Sequence, residues 1–491
     1  MEREWGGRSV PPPRCPRAAP HRGSVPAPGA VPERCGRTPA EGAAESLRSD
    51  GVHIGAGNTG AVLSSERRVP PRGPGGEPRP SGGVPGNSVI TAPGGGPGGF
   101  PAVVTSRVTP SSAMAALLKD VLSASEKAAE IARLCRDAEP LFRLLVAEKT
   151  GADRNQRFSH DFKTLADVLI QEVIRHDLGA KFPELRGHIG GEESNEFTNA
   201  NGDTVAVRVC GTVGETAALL GSVLHPEREA AELLAAAAHR DVAVGDAALD
   251  GVTVSIAPGD VAVWIDPIDS TNEYIVGRED VAPQDGIAPS GLCSALVLIG
   301  AYERSSGRPV LGVINEPFHR RHPQTRGWQG RYHWGIAYQG THLSSLSPPA
   351  PPRPPPRVVL SRAEAQGVRD ALASLCGGHL RFAAGAGYKM LCVILGHADA
   401  YVLSGGSTFA WDACAPHAIL CALGGGVVAL GDALRARREG DTGTPPQLTY
   451  NRPAEGAVGA ERWANRGGLV AYVHPQHLEA VLEVLAAVPG L

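Results

Sequence analysis

The sequence predicts a layered α/β fold. Two kinds of segment alternate from residue 114 almost to the C-terminus: longer ones with apolar residues at helical spacing, and short apolar ones rich in Val, Ile and Leu. Alternation of this kind, without an internal repeat, is typical of helices packed in layers against sheets. The chain has 491 residues and is 42% hydrophobic, which suffices for a large core.

The first 113 residues differ from the rest of the chain. They are rich in Pro, Gly, Arg and Ser, as in the stretch VPPRGPGGEPRPSGGVPG. A segment of this composition buries too little apolar surface to offset its chain entropy. We therefore predict a disordered extension over 1–113 and one folded domain over 114–491, and we hypothesise that the natural chain starts at Met114.

Composition argues against several classes of partner. The net charge of −4 gives no reason to expect nucleic acid or an acidic membrane surface. No apolar run reaches the roughly 18 residues that cross a bilayer, and the N-terminus lacks the apolar region of a secretory signal. The nine cysteines form no CxxC pair, which indicates free thiols in a reducing compartment. We expect a cytoplasmic protein.

Helical spacing of apolar residues predicts the helices in this order: one or two over 114–150, then 163–178, 363–375, 390–396, 411–425 and 476–488. A proline-rich insert at 347–357 precedes the third of these ranges. Its composition indicates a surface loop, or a ligand for a proline-recognition domain. The stretch AAGAGYK at 383–389 predicts a Gly/Ala turn.

Short apolar runs predict the strands: 188–194, 206–211, 252–256, 261–265, 293–302, 310–315, 399–403 and 426–430. The stretch ERSSGRP separates 293–302 from 310–315 and is typical of a hairpin turn. The first of these ranges contains Gly190 and Gly191, which predict that the strand ends in a turn there.

Acidic residues stand where several of these elements end. Asp266 follows an apolar run, and because Pro267 cannot donate to a sheet we expect the strand to stop there. Asp269 would then lie in a turn, and Ser270 or Thr271 would begin a helix. An ordinary capped turn explains this pattern as well as a metal or phosphate site does.

The other acids allow the same two interpretations. Glu192 and Glu193 follow two glycines and suit either a solvated acidic loop or a cation site. Asp412 begins an apolar helix, as capping residues do. Asp167 lies on an apolar helical face, at its exposed edge or as a ligand.

Taken together, the acids favour a metal centre. Four separate segments supply carboxylates, and no His or Cys accompanies them at ligand spacing. Oxygen ligands suit Mg²⁺ rather than zinc. Two Mg²⁺ ions could bind a phosphate and generate hydroxide from water.

Three stretches together resemble a known family. DPIDST at 266–271, GEES at 191–194 and WDACAPHAI at 411–419 resemble the motifs of the Mg²⁺-dependent, Li⁺-sensitive phosphatase superfamily, which includes inositol monophosphatase and fructose-1,6-bisphosphatase. Longer stretches such as DFKTLADVLIQEVI and RWANRGGL are similar to the members that act on inositol polyphosphates. The resemblance runs from about Met114 to near the C-terminus. It implies a five-layered αβαβα fold and removal of the 1-phosphate from inositol 1,4-bisphosphate and inositol 1,3,4-trisphosphate.

The resemblance also implies a set of metal ligands. Glu192, Asp266 and the backbone carbonyl of Ile268 would hold one Mg²⁺. Asp266, Asp269 and Asp412 would hold a second. Li⁺ would act as an inhibitor.

Further roles follow from the same resemblance. Glu193 would lie beside the first ion, and Asp167 would assist a further Mg²⁺ or Li⁺ position, so that two or three ions bind. Thr271 and Glu192 would orient and deprotonate the attacking water, without a covalent phosphoenzyme. Ser270 and Thr271 would offer backbone amides to the phosphate.

The substrate contacts implied by the resemblance are Asp269, Ser270, Thr271, Gly385, Ala386, Gly387, Lys389 and Ser361. Lys389 would reach a second phosphate as a point charge. The family pattern has a Ser-x-Lys pair at the positions of Ala363 and Ala365, so the second phosphate loses a contact unless Arg362 supplies the charge. This departure bears on the preference for polyphosphates and leaves the metal carboxylates untouched.

Two alternatives stay open at this point. One is another member of the superfamily, a 3′(2′),5′-bisphosphate nucleotidase or an inositol monophosphatase. The other is an inactive metal- or phosphate-binding protein, against which the presence of every expected carboxylate and of Thr271 argues. The expected partners are small inositol phosphates, without nucleic acid or membrane insertion, and the resemblance favours a monomer.

Overall fold

The computed structural model describes residues 110–137, 142, 145–151, 154–155, 161–352, 354–441 and 443–491, and within these the side chains of all but residues 110–113 and 250. The extension predicted over 1–113 therefore lies outside the described residues up to position 109. The first helix begins at Pro110, before the predicted boundary.

Helices and strands alternate along the described chain. The helices are α1 (Pro110–Asp137), α2 (Leu165–Lys181), α3 (Val213–Leu224), α4 (Arg228–His239), α5 (Thr271–Val276), α6 (Gln366–Cys376), α7 (Ala386–Ile394), α8 (Ala410–Ala422), α9 (Leu430–Arg438) and α10 (Pro475–Ala486). The strands are β1 (Val146–Glu148), β2 (Phe162–Thr164), β3 (Ile189–Gly191), β4 (Glu196–Thr198), β5 (Thr204–Ala206), β6 (Val261–Asp269), β7 (Leu296–Glu303), β8 (Pro309–Arg321), β9 (Trp328–Tyr338), β10 (Thr341–Ser344), β11 (Val358–Leu360), β12 (Leu380–Phe382), β13 (Ala400–Leu403), β14 (Gly426–Ala429) and β15 (Leu469–Tyr472).

Two sheets carry most of the strands. The larger sheet has the order β10-β9-β8-β7-β6-β3, and its strands are antiparallel except for the pair β3 and β6. The smaller sheet has the order β12-β11-β13-β15-β14, with β11 parallel to β12 and β13. Because β3 and β6 are parallel neighbours, they end at the same edge of the sheet, and the residues that follow them lie side by side.

Three layers of helices alternate with the two sheets. Helices α1 and α2 cover the outer face of the larger sheet, where Leu118, Val168 and Val263 are buried together. Helices α7 and α8 lie between the sheets, with Leu391 and Ile419 in the same buried cluster. Helices α6, α9 and α10 cover the far face of the smaller sheet. The arrangement is αβαβα, and the predicted layered fold is confirmed.

Several predicted elements differ from the structure. Over 114–150, α1 ends at Asp137 and Phe142 is again helical, but Val146–Glu148 is strand β1 rather than helix; the sequence between α1 and Phe142 holds Pro140, a residue that interrupts helices. The segment 252–256 is not a strand, although Val252, Val254 and Ile256 are buried, because it packs on the core without a sheet partner. Of the strand predicted at 206–211 only the first residue lies in β5.

Other elements had no prediction. They include strands β9 and β10 and helices α3, α4 and α9. Strand β9 has the sequence WQGRYHWGIAY, whose polar and glycine residues hide its apolar alternation. The proline-rich insert is irregular and mostly exposed over its described residues.

The structure also describes the state of the cysteines and the length and polarity of the helices. The cysteines of the described part are free thiols, and Cys135, Cys376, Cys392 and Cys414 are buried, which agrees with the prediction. None of the described helices is both long enough and apolar enough to cross a membrane.

Candidate active site

The C-terminal end of β6 places two carboxylates together. The prediction that the strand stops at Pro267 is wrong. The strand continues to Asp269 through a bulge, with Asp266 opposite Leu298 and Asp269 opposite Leu296. A bulge tolerates Pro267 because the extra residue of a bulge is left out of the hydrogen-bond ladder. Asp266 and Asp269 are both buried.

A third carboxylate reaches the same place from α8. Asp412 occupies the third position of that helix, and its Oδ2 accepts a hydrogen bond of 2.6 Å from the backbone N–H of Phe409. It therefore caps the helix, as one of the two interpretations held. It also faces the strand: carboxylate oxygens of Asp266, Asp269 and Asp412 all lie within 4.8 Å of one another.

Glu192 joins this group from β3. Its backbone N–H donates to the carbonyl of Ile265, 3.1 Å away, so the chain after β3 stays paired to β6. Its side chain lines the same cavity of about 310 Å³ as the three aspartates. Its Oε1 lies 2.5 Å from the ammonium of Lys149.

Glu193 and Asp167 are buried and are not among the described residues that line the cavity. The ammonium of Lys149 is 2.6 Å from Glu193 Oε1, and Gln171 holds the Glu193 backbone through hydrogen bonds of 2.5 and 2.9 Å. Asp167 caps α2 and accepts from the N–H and hydroxyl of Thr164 at 2.7 and 2.5 Å. Asp167 is fully buried rather than exposed at the edge of the helix, and burial raises its pKa to about 7.

Burial and mutual repulsion raise the pKa values of the three aspartates of the site. Burial, and then the charge of Glu192, raises the pKa of Asp266 well above its ordinary value. Burial, and then the charge of Asp269, does the same to the pKa of Asp412. Burial raises the pKa of Asp269 to about 6, although Lys389 opposes the shift. Buried like charges held this close together favour a bound cation.

Two carboxylate oxygens without a hydrogen-bond donor among the described residues also favour a bound cation at this site. Asp266 Oδ1 and Asp269 Oδ2 are buried and accept no hydrogen bond from any residue that the structure describes. Oxygen atoms in this state are the donors that hard divalent cations take. The residues present therefore fit Mg²⁺, with Asp266, Asp269, Asp412 and Glu192 as the donors that share one cavity.

The chain after the bulge forms the floor of the cavity. Helix α5 begins at Thr271, as predicted, and Ser270 precedes it with φ +70°, although the Ser270 hydroxyl makes no capping hydrogen bond. The hydroxyl of Thr271 donates to the carbonyl of Ile268 at 3.1 Å, and all three residues line the cavity. Ser270 lies so close to Gly385 that a Cβ built on this glycine would be 2.3 Å from its Oγ.

Helix α7 forms the opposite wall. Gly385, Ala386 and Lys389 line the cavity, whereas Gly387 is not among the lining residues and lies against the Asp269 carboxylate, where a Cβ built on it would be 3.0 Å from Asp269 Oδ2. The Lys389 side chain is buried, and burial lowers its pKa to about 8, against the charge of Asp269. Its ammonium donates to the carbonyls of Ala383, 3.3 Å away, and of Gly385.

The rim near α6 carries little charge. Ser361 lines the cavity, and its hydroxyl accepts from the N–H of Ala363 at 3.3 Å. Ala363, Ala365 and Arg362 are exposed and do not line the cavity. Among the described lining residues, Lys389 is the single cation.

Sequence reasoning missed several residues of the site. Lys149 falls inside the helical pattern predicted over 114–150, and no local pattern marks it as a site residue. Asp161 also lines the cavity, and its carbonyl accepts the N–H of Lys149 at 2.7 Å. Ser407 and Thr408, directly before α8, complete the wall beside Asp412.

Comparison with known proteins shows which family the chain resembles. The model of the inositol monophosphatase family matches residues 223–477. The chain is 47% identical over 391 residues to inositol polyphosphate 1-phosphatase of Bos taurus, covering 76% of this chain and 97% of the relative. It is 45% identical over 390 residues to the protein of the same name from Homo sapiens, again covering 76% and 97%.

Among solved structures, the chain is similar to the extragenic suppressor protein suhB from Bartonella henselae. It is 14% identical, with a TM-score of 0.42, and the match covers 77% of this chain and 100% of that one. The family match over residues 223–477 and the two relatives, each spanned almost completely, show that the chain belongs to the inositol monophosphatase family of phosphatases.

Proposed function

We propose that this phosphatase is Mg²⁺-dependent, removes the 1-phosphate from inositol 1,4-bisphosphate and inositol 1,3,4-trisphosphate, and is inhibited by Li⁺. The observation that carries the proposal is the convergence of Asp266, Asp269 and Asp412 on a cavity that Glu192 also lines. The names of the bovine and human relatives favour the inositol polyphosphate class of substrate.

In this proposal the metal ligands are those of the motif resemblance. Glu192, Asp266 and the carbonyl of Ile268 hold one ion, and Asp266, Asp269 and Asp412 hold another. Bound Mg²⁺ supplies Lewis-acid polarisation of the phosphate and a lowered pKa for water.

The chain's own groups orient the attacking water. The hydroxyl of Thr271 donates its hydrogen bond to the Ile268 carbonyl. The Thr271 oxygen can therefore accept a hydrogen bond from the attacking water. Glu192 lines the same cavity and takes the proton that the water loses. The water oxygen forms the new bond to phosphorus as the bond to the inositol oxygen breaks, so no phosphoenzyme forms.

Glu193 and Asp167 belong to a further cation position in this proposal, where Li⁺ would bind. Glu193 Oε2 and Asp167 Oδ1 are buried and accept no hydrogen bond within the described part of the chain. Lys149 already contributes one positive charge there.

Substrate contacts come from the two walls. Ser270 and Thr271 offer backbone amides to the phosphate, beside Asp269. Gly385, Ala386, Ser361 and Lys389 face the inositol ring and its second phosphate, and Gly387 contributes through Asp269. We further propose that 114–491 is the catalytic domain and that the protein is a cytoplasmic monomer.

Phosphate release with purified protein tests the proposal. We expect release from inositol 1,4-bisphosphate with Mg²⁺, none with a chelator, and inhibition by Li⁺. Inositol 1-phosphate and adenosine 3′,5′-bisphosphate serve as competing substrates. A preference for adenosine 3′,5′-bisphosphate would replace the inositol assignment by a nucleotidase, and no release from any of the three would leave a metal- or phosphate-binding protein.

Asp266→Asn tests the ligand role directly. Because Asp266 is shared by both proposed ions, we expect kcat to fall on the order of 1,000-fold, since a bound metal contributes several kcal/mol. The fold should be retained, because one of several repelling carboxylates is removed. Asp432→Asn, at an exposed ion pair on α9, is the matched control. Wild-type kcat in Asp266→Asn would refute the assignment.

A further inference from the structure

Residues 459–468, which we name the strap, directly precede β15 and contact the chain beside the cavity. The strap starts with a short 3₁₀ helix, Gly459–Trp463, and Ala460 lines the cavity. It passes so close to the chain before α8 that a Cβ on Gly406 would lie 2.8 Å from the Cα of Arg466. Ala464 forms an isolated bridge with Phe409.

Asn465 makes the closest polar connection between the strap and α8. Its backbone N–H donates to the carbonyl of Thr408 at 2.8 Å. Its side-chain Nδ2 donates to the hydroxyl of Thr408 at 3.2 Å and to the carbonyl of Phe409 at 3.0 Å. Three hydrogen bonds from one residue thus fix both residues that precede the helix.

Phe409 in turn is the hydrogen-bond donor to Asp412. Its N–H lies 2.6 Å from Asp412 Oδ2, and its ring stacks on Trp411 with centroids 4.8 Å apart and planes at 9°. The direction of the Asp412 carboxylate is therefore set by the position of Phe409, which Asn465 holds from the other side.

The strap also contacts the strand that carries the other carboxylates. The rings of Trp463 and Trp264 are 4.6 Å apart, and Trp264 stands two residues before Asp266 on β6. Trp264 contacts Trp411 as well, at 5.8 Å. The strap therefore contacts both β6, which carries Asp266 and Asp269, and the start of α8, which carries Asp412.

We infer that Asn465 is a positioning residue, which fixes the carboxylate of Asp412 against those of Asp266 and Asp269 through Phe409. This inference rests on the proposed role of Asp412 as a metal ligand. Partners that orient a metal ligand without touching the metal typically change metal affinity by about 10- to 100-fold when they are replaced.

The chain contains a matched control for the test. Asn451 also donates its Nδ2 to two backbone acceptors far away in sequence, the carbonyls of Arg304 and Ser305, at 3.0 and 3.3 Å. These acceptors belong to the turn between β7 and β8, whose residues do not line the cavity within the described chain. Loss of Asn451 removes an equivalent contact without reaching the metal centre.

The experiment compares Asn465→Asp and Asn465→Ala with Asn451→Asp and Asn451→Ala in the full chain. Mn²⁺ affinity is measured by electron paramagnetic resonance, stability by thermal unfolding in a chelator, and kcat and KM with inositol 1,4-bisphosphate. We expect both Asn465 variants to bind Mn²⁺ about tenfold more weakly, with kcat reduced and KM nearly unchanged. Thermal unfolding in the chelator should shift no more than in the Asn451 variants, which keep wild-type Mn²⁺ affinity.

A double-mutant cycle with Asp412→Asn decides whether Asn465 acts through Asp412. We expect Asn465→Ala to weaken Mn²⁺ binding no further in that background. An equal loss in both backgrounds, or wild-type Mn²⁺ affinity in Asn465→Asp and Asn465→Ala, would overturn the inference. If the unmodified chain releases no phosphate while the Mn²⁺ results hold, the proposed function fails and the positioning role stands.

Discussion

Lys149 holds its ammonium between two acidic residues that follow one another in the chain. It lies 2.5 Å from Glu192 Oε1 and 2.6 Å from Glu193 Oε1, and its side chain is only 2% exposed. Burial alone would lower the pKa of Lys149, but the two glutamates outweigh burial and raise it. The charge of Lys149 is therefore part of the site before any metal ion binds.

Replacement of this lysine should destabilise the protein. Lys149→Met leaves buried carboxylates without their cation, and we expect the free energy of unfolding to fall by about 3 kcal/mol. Urea unfolding in a chelator measures it, and added Mg²⁺ should restore part of the loss. Lys181→Gln, which breaks the exposed pair with Asp120, should change stability by less than about 1 kcal/mol. Equal stability of Lys149→Met and the wild type would contradict the charge balance described here.

At the scale of elements, the start of α7 is the tightest approach in the site. Gly385 has φ +76°, and a Cβ there would lie 2.3 Å from Ser270 Oγ and 3.0 Å from Asp269 Oδ2. Only glycine satisfies both the left-handed backbone and the contact. The loop after β12 can therefore close on the end of β6.

Gly385→Ala should separate backbone strain from active-site distortion when it is compared with Gly396→Ala. Gly396, just beyond the other end of α7, has φ +70° and open space around its Cβ position. Both variants should lose about 1 kcal/mol of stability from the backbone. Only Gly385→Ala should also lose phosphatase activity, by about tenfold or more, because Asp269 must move. Equal activities in steady-state assays would show that the contact has no catalytic consequence.

The paired strands β8 and β9 contain another buried acid, Glu316, which is not among the described residues that line the cavity. Glu316 Oε1 accepts from Arg331 Nε at 2.7 Å and lies 3.0 Å from His333 Nε2, while Oε2 lies 3.5 Å from His319. Burial would raise the pKa of Glu316, but these hydrogen bonds outweigh it and hold the pKa well below its ordinary value.

Glu316 should therefore contribute stability that acid removes. A carboxyl whose pKa is lower in the folded state stabilises it fully above the unfolded value, near 4.5, and progressively less as pH falls toward the folded value. Glu316→Gln should lower the free energy of unfolding by about 2 kcal/mol at neutral pH, and the difference from wild type should shrink below about pH 4.5. Urea unfolding across this range checks it, with the exposed Glu232→Gln as control. A difference that grows in acid would reverse the argument.

On the scale of the whole molecule, the site joins parts of the chain that are far apart in sequence. Lys149, Glu192 and Asp266 lie at or near strand ends, and Asp412 lies at the start of a helix in the central layer. The αβαβα layering places them together because β3 and β6 end at one edge and α8 packs against that same sheet.

Features of the fold and the site that local sequence patterns encode could be predicted from the sequence, whereas contacts between distant residues could not. The apolar runs of β6, β7 and α8 predicted those elements, and the motif resemblance predicted which acids meet. The role of Lys149 was hidden, because its contacts lie 43 and 44 residues away and no local pattern encodes them. Asn465 was hidden for the same reason. Strand β9 escaped because glycine and polar residues interrupt its alternation.

The predicted extension gives a test at this scale. Removal of residues 1–109 should leave the thermal unfolding temperature and phosphate release unchanged, because a segment of that composition buries little apolar surface. Removal of residues 1–121 should lower the unfolding temperature, since Met114, Leu117 and Leu118 are lost from the core. Calorimetry and steady-state assays on the two shortened chains check this. A shortened chain without 1–109 that unfolds earlier would assign the extension a part in stability.

The bulge in β6 has a consequence for how the sequence can change. In a regular strand, residues three apart have opposite parity and point to opposite faces of the sheet. Asp266 and Asp269 share a face because they pair with Leu298 and Leu296, which are two apart on β7. The inserted residue resets the parity. Without the bulge, a spacing of three would turn one carboxylate toward the layer of α1 and α2, so the spacing of this motif and the bulge are required together.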